Sequence, residues 1–188
     1  SGTKFMLVGN AQPFFLGDET NDLLPRATKT VLQTGFDDTN LRDHDDSTCA
    51  YPAGNIRYGS TYDLVKYDFR SVGYRFVYVK MWNKTDPWVN VRVLISNDDV
   101  NYNVLAQLSG SLVGETYTGV LGATFRYIKL QIKSDARETY SGSLCCYYSV
   151  EVYWPSTTSV VYYSDNASRL MQCYVSKGYY QLLEVVEA

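Results

Sequence analysis

Val89-Asn90-Val91-Arg92-Val93-Leu94-Ile95 decides the kind of fold this chain adopts. Val89, Val91, Val93 and Ile95 alternate with Asn90, Arg92 and Leu94. That period of two is the mark of a strand with one face in a core and one wetter face. The pattern recurs outward. Ile128, Leu130 and Ile132 alternate with Tyr127, Lys129 and Gln131, and Tyr148, Val150 and Val152 alternate with Ser149, Glu151 and Tyr153. Val77, Val79 and Met81, set against Phe76, Tyr78 and Lys80, predict a further strand that is apolar on both sides. Turn-forming clusters separate the runs at Asn83-Lys84-Thr85-Asp86-Pro87, Asn97-Asp98-Asp99, Ser109-Gly110-Ser111 and Tyr140-Ser141-Gly142-Ser143. No sustained helical period appears. Short strands at this spacing predict an all-β fold, an antiparallel β-sandwich or jelly roll.

The two ends differ from the middle. Residues 1–35 hold one apolar strand candidate, Phe5-Met6-Leu7-Val8, then a polar stretch with Pro13 and Pro25. After Pro155 come Val160-Val161-Tyr162-Tyr163, Leu170 to Val175 and Tyr179 to Leu183, with turns at Asp165-Asn166 and Lys177-Gly178. Such a small meander is not stable alone. The expected organisation is an N-terminal extension over 1–35, a sandwich over 36–154 and a C-terminal extension over 155–188. The extra strands would pack on the sandwich or on a neighbouring subunit.

Composition narrows function. The chain has 188 residues and a net charge of -3, with no basic stripe, so nucleic acid is not the expected partner. No apolar run approaches the roughly 18 residues of a membrane span. Ser1-Gly2-Thr3-Lys4-Phe5 shows no charged region followed by a long apolar one, so no signal peptide is visible: either one was removed or the gene product never had one. Tyr is used 18 times against one His, and amphipathic rings suit half-exposed sheets and binding faces. Cys49, Cys145, Cys146 and Cys173 show no zinc-ribbon or redox spacing. Cys49 bonded to Cys145, Cys49 bonded to Cys146, and free buried thiols all stay open, since four cysteines allow three pairings.

Asp43-His44-Asp45-Asp46-Ser47-Thr48 concentrates hard oxygen donors on a short loop, the chemistry calcium uses. The spacing is not that of an EF-hand, which needs Gly at position six and Glu at twelve where this chain has Thr48 and Gly54. A distant residue would have to complete any site. Taken alone, the hexapeptide is explained by Asp residues capping a surface turn.

With the strands placed, the chain from about 36 to 154 resembles the coagulation factor V/VIII type C (discoidin) family of galactose-binding-like jelly rolls. Asn40 to Thr48 resembles the family's Asn-Leu-x-Asp-Gly-Asp-x-x-Thr loop, and Ser96-Asn97-Asp98-Asp99-Val100-Asn101-Tyr102 its Ser-x-Asp-Gly hairpin. Phe125 to Leu130 is similar to its Arg-Tyr-Ile strand, and Val150-Glu151-Val152 to its closing strand. The resemblance implies a structural calcium ion held by Asp43, Asp45, Thr48 and Glu151, with carbonyls near Leu41 and Asp46. Two departures stand out: His44 and Asp99 occupy places where the family has Gly, which take positive φ most easily.

The same resemblance, with the loop aromatics, implies a non-catalytic carbohydrate or surface-ligand binding module. Sugar sites need aromatic faces and fixed polar groups. The candidates are Tyr51, Arg57, Trp82, Trp88, Arg137 and Tyr140, with Tyr58 beside them. Trp82 and Trp88 flank a turn, and packing across adjacent strands explains both as well. No phosphate loop, dinucleotide fingerprint, nucleophile elbow or zinc-protease helix is present, so no enzyme activity is expected. The alternative is an assembly protein, a virion or surface-layer component whose terminal strands pair with neighbouring copies. Either reading puts the chain outside the cell, on a cell surface or on a virion. Asn83-Lys84-Thr85 and Asn166-Ala167-Ser168 match the glycosylation acceptor pattern.

Overall fold

The computed structural model describes residues 21–154 and three short strands nearer the ends. Two compact units divide the chain, and one of them is Asp22–Val152. Residues 22–35 therefore belong to the sandwich unit, not to an extension as the sequence suggested.

Eleven strands are described: β1 (Phe5–Leu7), β2 (Thr28–Val31), β3 (Asn55–Ile56), β4 (Thr61–Asn83), β5 (Val89–Ser96), β6 (Asn103–Ser109), β7 (Glu115–Ser134), β8 (Tyr140–Ser141), β9 (Cys145–Tyr153), β10 (Tyr162–Ser164) and β11 (Val185–Glu187). In the second unit β1 lies between β10 and β11, antiparallel to both, so it is paired on either side within its own chain. The expected strands at 170–175 and 179–183 lie outside the described residues.

The sandwich is antiparallel and runs β2-β4-β7-β5-β6, with β9 also on β4, while β3 and β8 form a separate two-stranded piece. Val77, Val79, Met81, Val89, Val91, Val93, Ile128, Leu130, Ile132, Val150 and Val152 are all fully buried, as the alternation predicts. Ser149 and Glu151 are buried too, so β9 is covered on both faces rather than one.

Three local features differ from a simple reading. The strand predicted around Val77 runs the whole way from Thr61 to Asn83, paired with β7 along its length and broken in register between Asp68 and Gly73. Arg70 takes φ 69° in that break, and its N–H donates to Asp68 Oδ1 at 2.7 Å. A bulge leaves backbone groups unpaired and bends the strand. Here the buried Arg75 guanidinium supplies donors: Nη1 to the Gly73 and Phe125 carbonyls, Nη2 to Ser71 O at 3.0 Å. The same group lies over the rings of Phe69 and Phe125. Second, Leu105 of β6 is the extra residue where β6 shifts register against β5 between Val93 and Leu94; Leu94 is buried and Ile95 partly so. Ile95 nevertheless continues the inner face, packing against the core while only partly buried. Third, Cys49 pairs with Cys146, with 5.9 Å between their Cα atoms, and Cys145 is a buried free thiol.

Asn83 is no glycosylation acceptor in the folded chain. It is fully buried, and its Nδ2 donates to the carbonyls of Val89 (2.9 Å) and Leu108 (3.0 Å). Asn166 lies outside the described residues.

Candidate functional site: an aromatic cleft between turns

Two β-turns present aromatic rings to one cleft. In the first, Val89 N–H donates to Asp86 O at 3.0 Å, closing Asp86-Pro87-Trp88-Val89. Asp at the first position and Pro at the second are what this turn favours, because proline's φ is already set. The carboxylate of Asp86 accepts the Trp88 N–H at 2.7 Å, which fixes the turn while leaving the indole 66% exposed. In the second turn, Ser60 N–H donates to Arg57 O at 3.3 Å, and Gly59 supplies φ 65°. Tyr58 stands at its tip, 64% exposed.

Beneath the first turn the scaffold is tightly specified. Asn83 Oδ1 accepts from Thr85 N–H (3.1 Å) and Thr85 Oγ1 (2.6 Å), which with its two donated bonds satisfies the whole amide. Gly110 packs against this loop and donates to Val89 O at 2.9 Å. A Cβ at Gly110 would stand 2.5 Å from the carbonyl oxygens of both Thr85 and Asp86, so only glycine fits. Leu112, at φ 65°, donates to Thr85 O at 2.7 Å and reaches the cleft wall.

The cleft holds about 690 Å³ and is lined by Tyr58, Asp86, Trp88, Leu112, Asp135, Arg137, Glu138 and Tyr140. The Asp135 N–H donates to Trp88 O at 3.0 Å, tying the two rims together. Tyr140 Oη lies 3.5 Å from Asp86 Oδ2. Partial desolvation, together with the carboxylates of Asp86 and Glu138, pushes the Tyr140 hydroxyl above its ordinary range. It therefore stays protonated, a hydrogen-bond donor at neutral pH. The lining combines aromatic surface, three carboxylates, one guanidinium and two phenols. That is the chemistry that stacks against C–H faces and binds hydroxyls.

Of the six ligand-binding residues picked from sequence, Trp88, Arg137 and Tyr140 come together here. Tyr51 is exposed and Arg57 sits in the turn beside Tyr58, but neither lines the cleft. Trp82 is half-buried and lies over Gly114, whose added Cβ would touch its indole at 3.0 to 3.4 Å, so Trp82 is a packing residue. Asp86, Leu112, Asp135 and Glu138 were missed, although the Asp-Pro pair before an isolated Trp was a usable signal.

The acidic loop folds as an elaborate turn. Asp43 Oδ1 accepts the Asp45 N–H at 3.0 Å, and Asp45 Oδ1 accepts the N–H (2.9 Å) and Oγ (2.6 Å) of Ser47. Thr48 Oγ1 faces three oxygens: Asp43 Oδ2 at 2.6 Å, Asp45 O at 3.0 Å and Asn40 O at 3.1 Å. One hydroxyl hydrogen cannot serve three acceptors, and this surplus of hard oxygens fits calcium chemistry. Among the described residues, no three His, Cys, Asp or Glu side chains gather into a metal-holding group. An ion bound here would lean on Asp43, Thr48 and these carbonyls, and would act as a structural tie. His44 and Asp99 take φ 58° and 63°, so both keep the turn shape of the glycines they replace in the resemblance.

Neither His44 nor Cys145 lines the cleft. The single His44 side chain is 5% exposed against Asp22, and burial pushes the Cys145 thiol up to about 12. Among the described residues, no helix is long and apolar enough to cross a membrane.

No protein-family model matches the chain, and no curated protein is similar to it in sequence. Solved structures are similar to it at low identity. Chitosan-binding module 1 of a chitosanase/glucanase from Paenibacillus sp. IK-5 is 17% identical, covers 71% of this chain and 98% of its own, and has a TM-score of 0.43. Module 2 of the same enzyme, solved with chitotriose, is 16% identical over 68% of this chain and 96% of its own, at 0.40. CBM32-1 from a family 31 glycoside hydrolase of Clostridium perfringens is 12% identical over 73% of this chain and all of its own, at 0.41. These values lie too low to carry a binding specificity across.

Proposed function

We propose that this chain is a non-catalytic carbohydrate-binding module that holds a saccharide in the cleft between Trp88, Tyr58 and Tyr140. One observation carries the reading: Trp88 is two-thirds exposed, yet its backbone is fixed by Asp86 and Asp135. A large indole carried on a fixed backbone and open to solvent offers a flat face to a pyranose ring with few rotors to order on binding. Tyr140 and Arg137 supply donors for hydroxyls, and the three carboxylates supply acceptors. The Cys49–Cys146 disulfide suits an oxidising, extracellular setting.

The test is titration of the labelled chain with neutral oligosaccharides, read by amide and indole NMR shifts. Saturable shifts confined to Trp88, Tyr58 and Tyr140 are expected. A flat response at all three across broad glycan classes overturns the reading.

A further inference from the structure

Asp22 is fully buried, and three segments converge on it. Its Oδ1 accepts the Leu24 and Val152 N–H groups, each at 2.9 Å, and its Oδ2 lies 3.0 Å from His44 Nε2. Leu24 opens the short 3-10 turn before β2, Val152 lies at the end of β9, and His44 is at the tip of the acidic loop. The neighbouring Leu23 N–H donates to Val152 O at 2.7 Å, so the first segment is also strapped directly to β9. His44 reaches this partner only by taking φ 58°, a conformation unfavourable for an L residue. A buried carboxylate left without its partners is strongly destabilising.

Calcium in this loop would tie it to β9 through Glu151, as the discoidin resemblance implies. Asp22 makes the same connection one residue further along, at Val152, through an imidazole in place of an ion. We propose that the Asp22–His44 contact is a metal-independent latch, which holds the acidic loop against the closing strand whether or not calcium is bound. Asp46, whose carboxylate accepts from Ser149 Oγ and from Tyr78 Oη at 2.8 Å, steadies the flank of the loop. The tip depends on His44. This inference stands apart from the saccharide reading.

The experiment is thermal unfolding and amide hydrogen exchange of the full chain, in EDTA and in millimolar calcium. His44→Gly removes the imidazole and suits the local φ, so relief of backbone strain alone would raise stability. In EDTA its Tm is expected to fall by about 5–8 °C, on the order of what losing a buried contact does in a domain of this size. The Thr48 N–H, bonded to Asp45 O at 3.1 Å, should also exchange faster. His44→Asn, which tolerates the same φ, supplies the reading if the glycine variant does not fold. Chelation of the wild-type chain should lower Tm by less than either substitution does. The latch is overturned if chelation costs the wild type as much as His44→Gly costs in EDTA, or if the variants match the wild type in Tm and loop exchange.

Discussion

The backbone N–H of Trp88 donates to Asp86 Oδ1 at 2.7 Å, so the residue that shapes the turn also aims the ring that the cleft depends on. Trp88→Ala should abolish saccharide binding, a loss of at least tenfold by calorimetry. Because the indole is mostly exposed, Tm should move by no more than about 2 °C. Asp86→Ala should weaken binding by a smaller factor, since it frees the turn but keeps the ring.

Gly110 is where the loop before β7 touches the Trp88 turn with no room for a side chain. Gly110→Ala should destabilise the chain by about 1–3 kcal/mol in urea unfolding, the usual range for overpacking. It should also weaken saccharide binding, because the displaced atoms belong to Thr85 and Asp86.

The Cys49–Cys146 bond spans a sequence separation of 97. In the loop-entropy account, removing such a cross-link costs about 3–5 kcal/mol. Cys49→Ser/Cys146→Ser should show that loss in denaturant unfolding, and dithiothreitol should reproduce it in the wild type but not in the variant.

Acid should weaken the fold partly through Asp38, which is almost fully buried beside Lys29 (2.9 Å), Arg42 (2.8 Å) and the Tyr67 hydroxyl (2.5 Å). Burial alone would raise its carboxyl. The Tyr67 hydrogen bond and the two cations outweigh that and leave it below the ordinary range. A depressed carboxyl stabilises the fold above its unfolded value and loses that stabilisation as pH falls through the folded one. Tyr67→Phe should therefore lower Tm at pH 7, and its deficit against the wild type should shrink below about pH 4.

Charge in the cleft should sort ligands. Its lining carries Asp86, Asp135 and Glu138 against Arg137, with Lys133 Nζ 3.4 Å from Asp135 at the edge. Neutral oligosaccharides should bind severalfold more tightly than carboxylated or sulfated counterparts of equal length. Raising salt should narrow the gap, as it screens exposed charges, and so should Glu138→Gln.

The strands were legible because burial writes period two into Val89 to Val93 and Ile128 to Ile132. The bulge at Leu105 was not, because a one-residue insertion into a ladder leaves local composition unchanged. The full reach of β4 was hidden for a related reason: residues 66–74 are mostly polar or half-exposed, and pairing with β7 on either side of the break at 69–72, rather than patterning, carries the strand through. In the cleft, Trp88, Arg137 and Tyr140 were visible as loop aromatics and a cation. Asp135 and Glu138 looked like any surface acids until the fold set them beside Trp88. Asp22 was the least readable of all. A lone Asp in a polar stretch carries no motif, and its partners His44 and Val152 are chosen by topology.

The position of Cys146 beside Cys145 has a consequence for how the chain matures. Successive residues of a strand face opposite ways, so an oxidant that captured Cys145 would select a β9 displaced by one place. That slip would undo the register in which Cys145, Tyr147, Val150 and Val152 all pack into the core. The Cys49–Cys146 bond is therefore the one compatible with the native placement of β9, and a Cys49–Cys145 bond would trap the strand out of place.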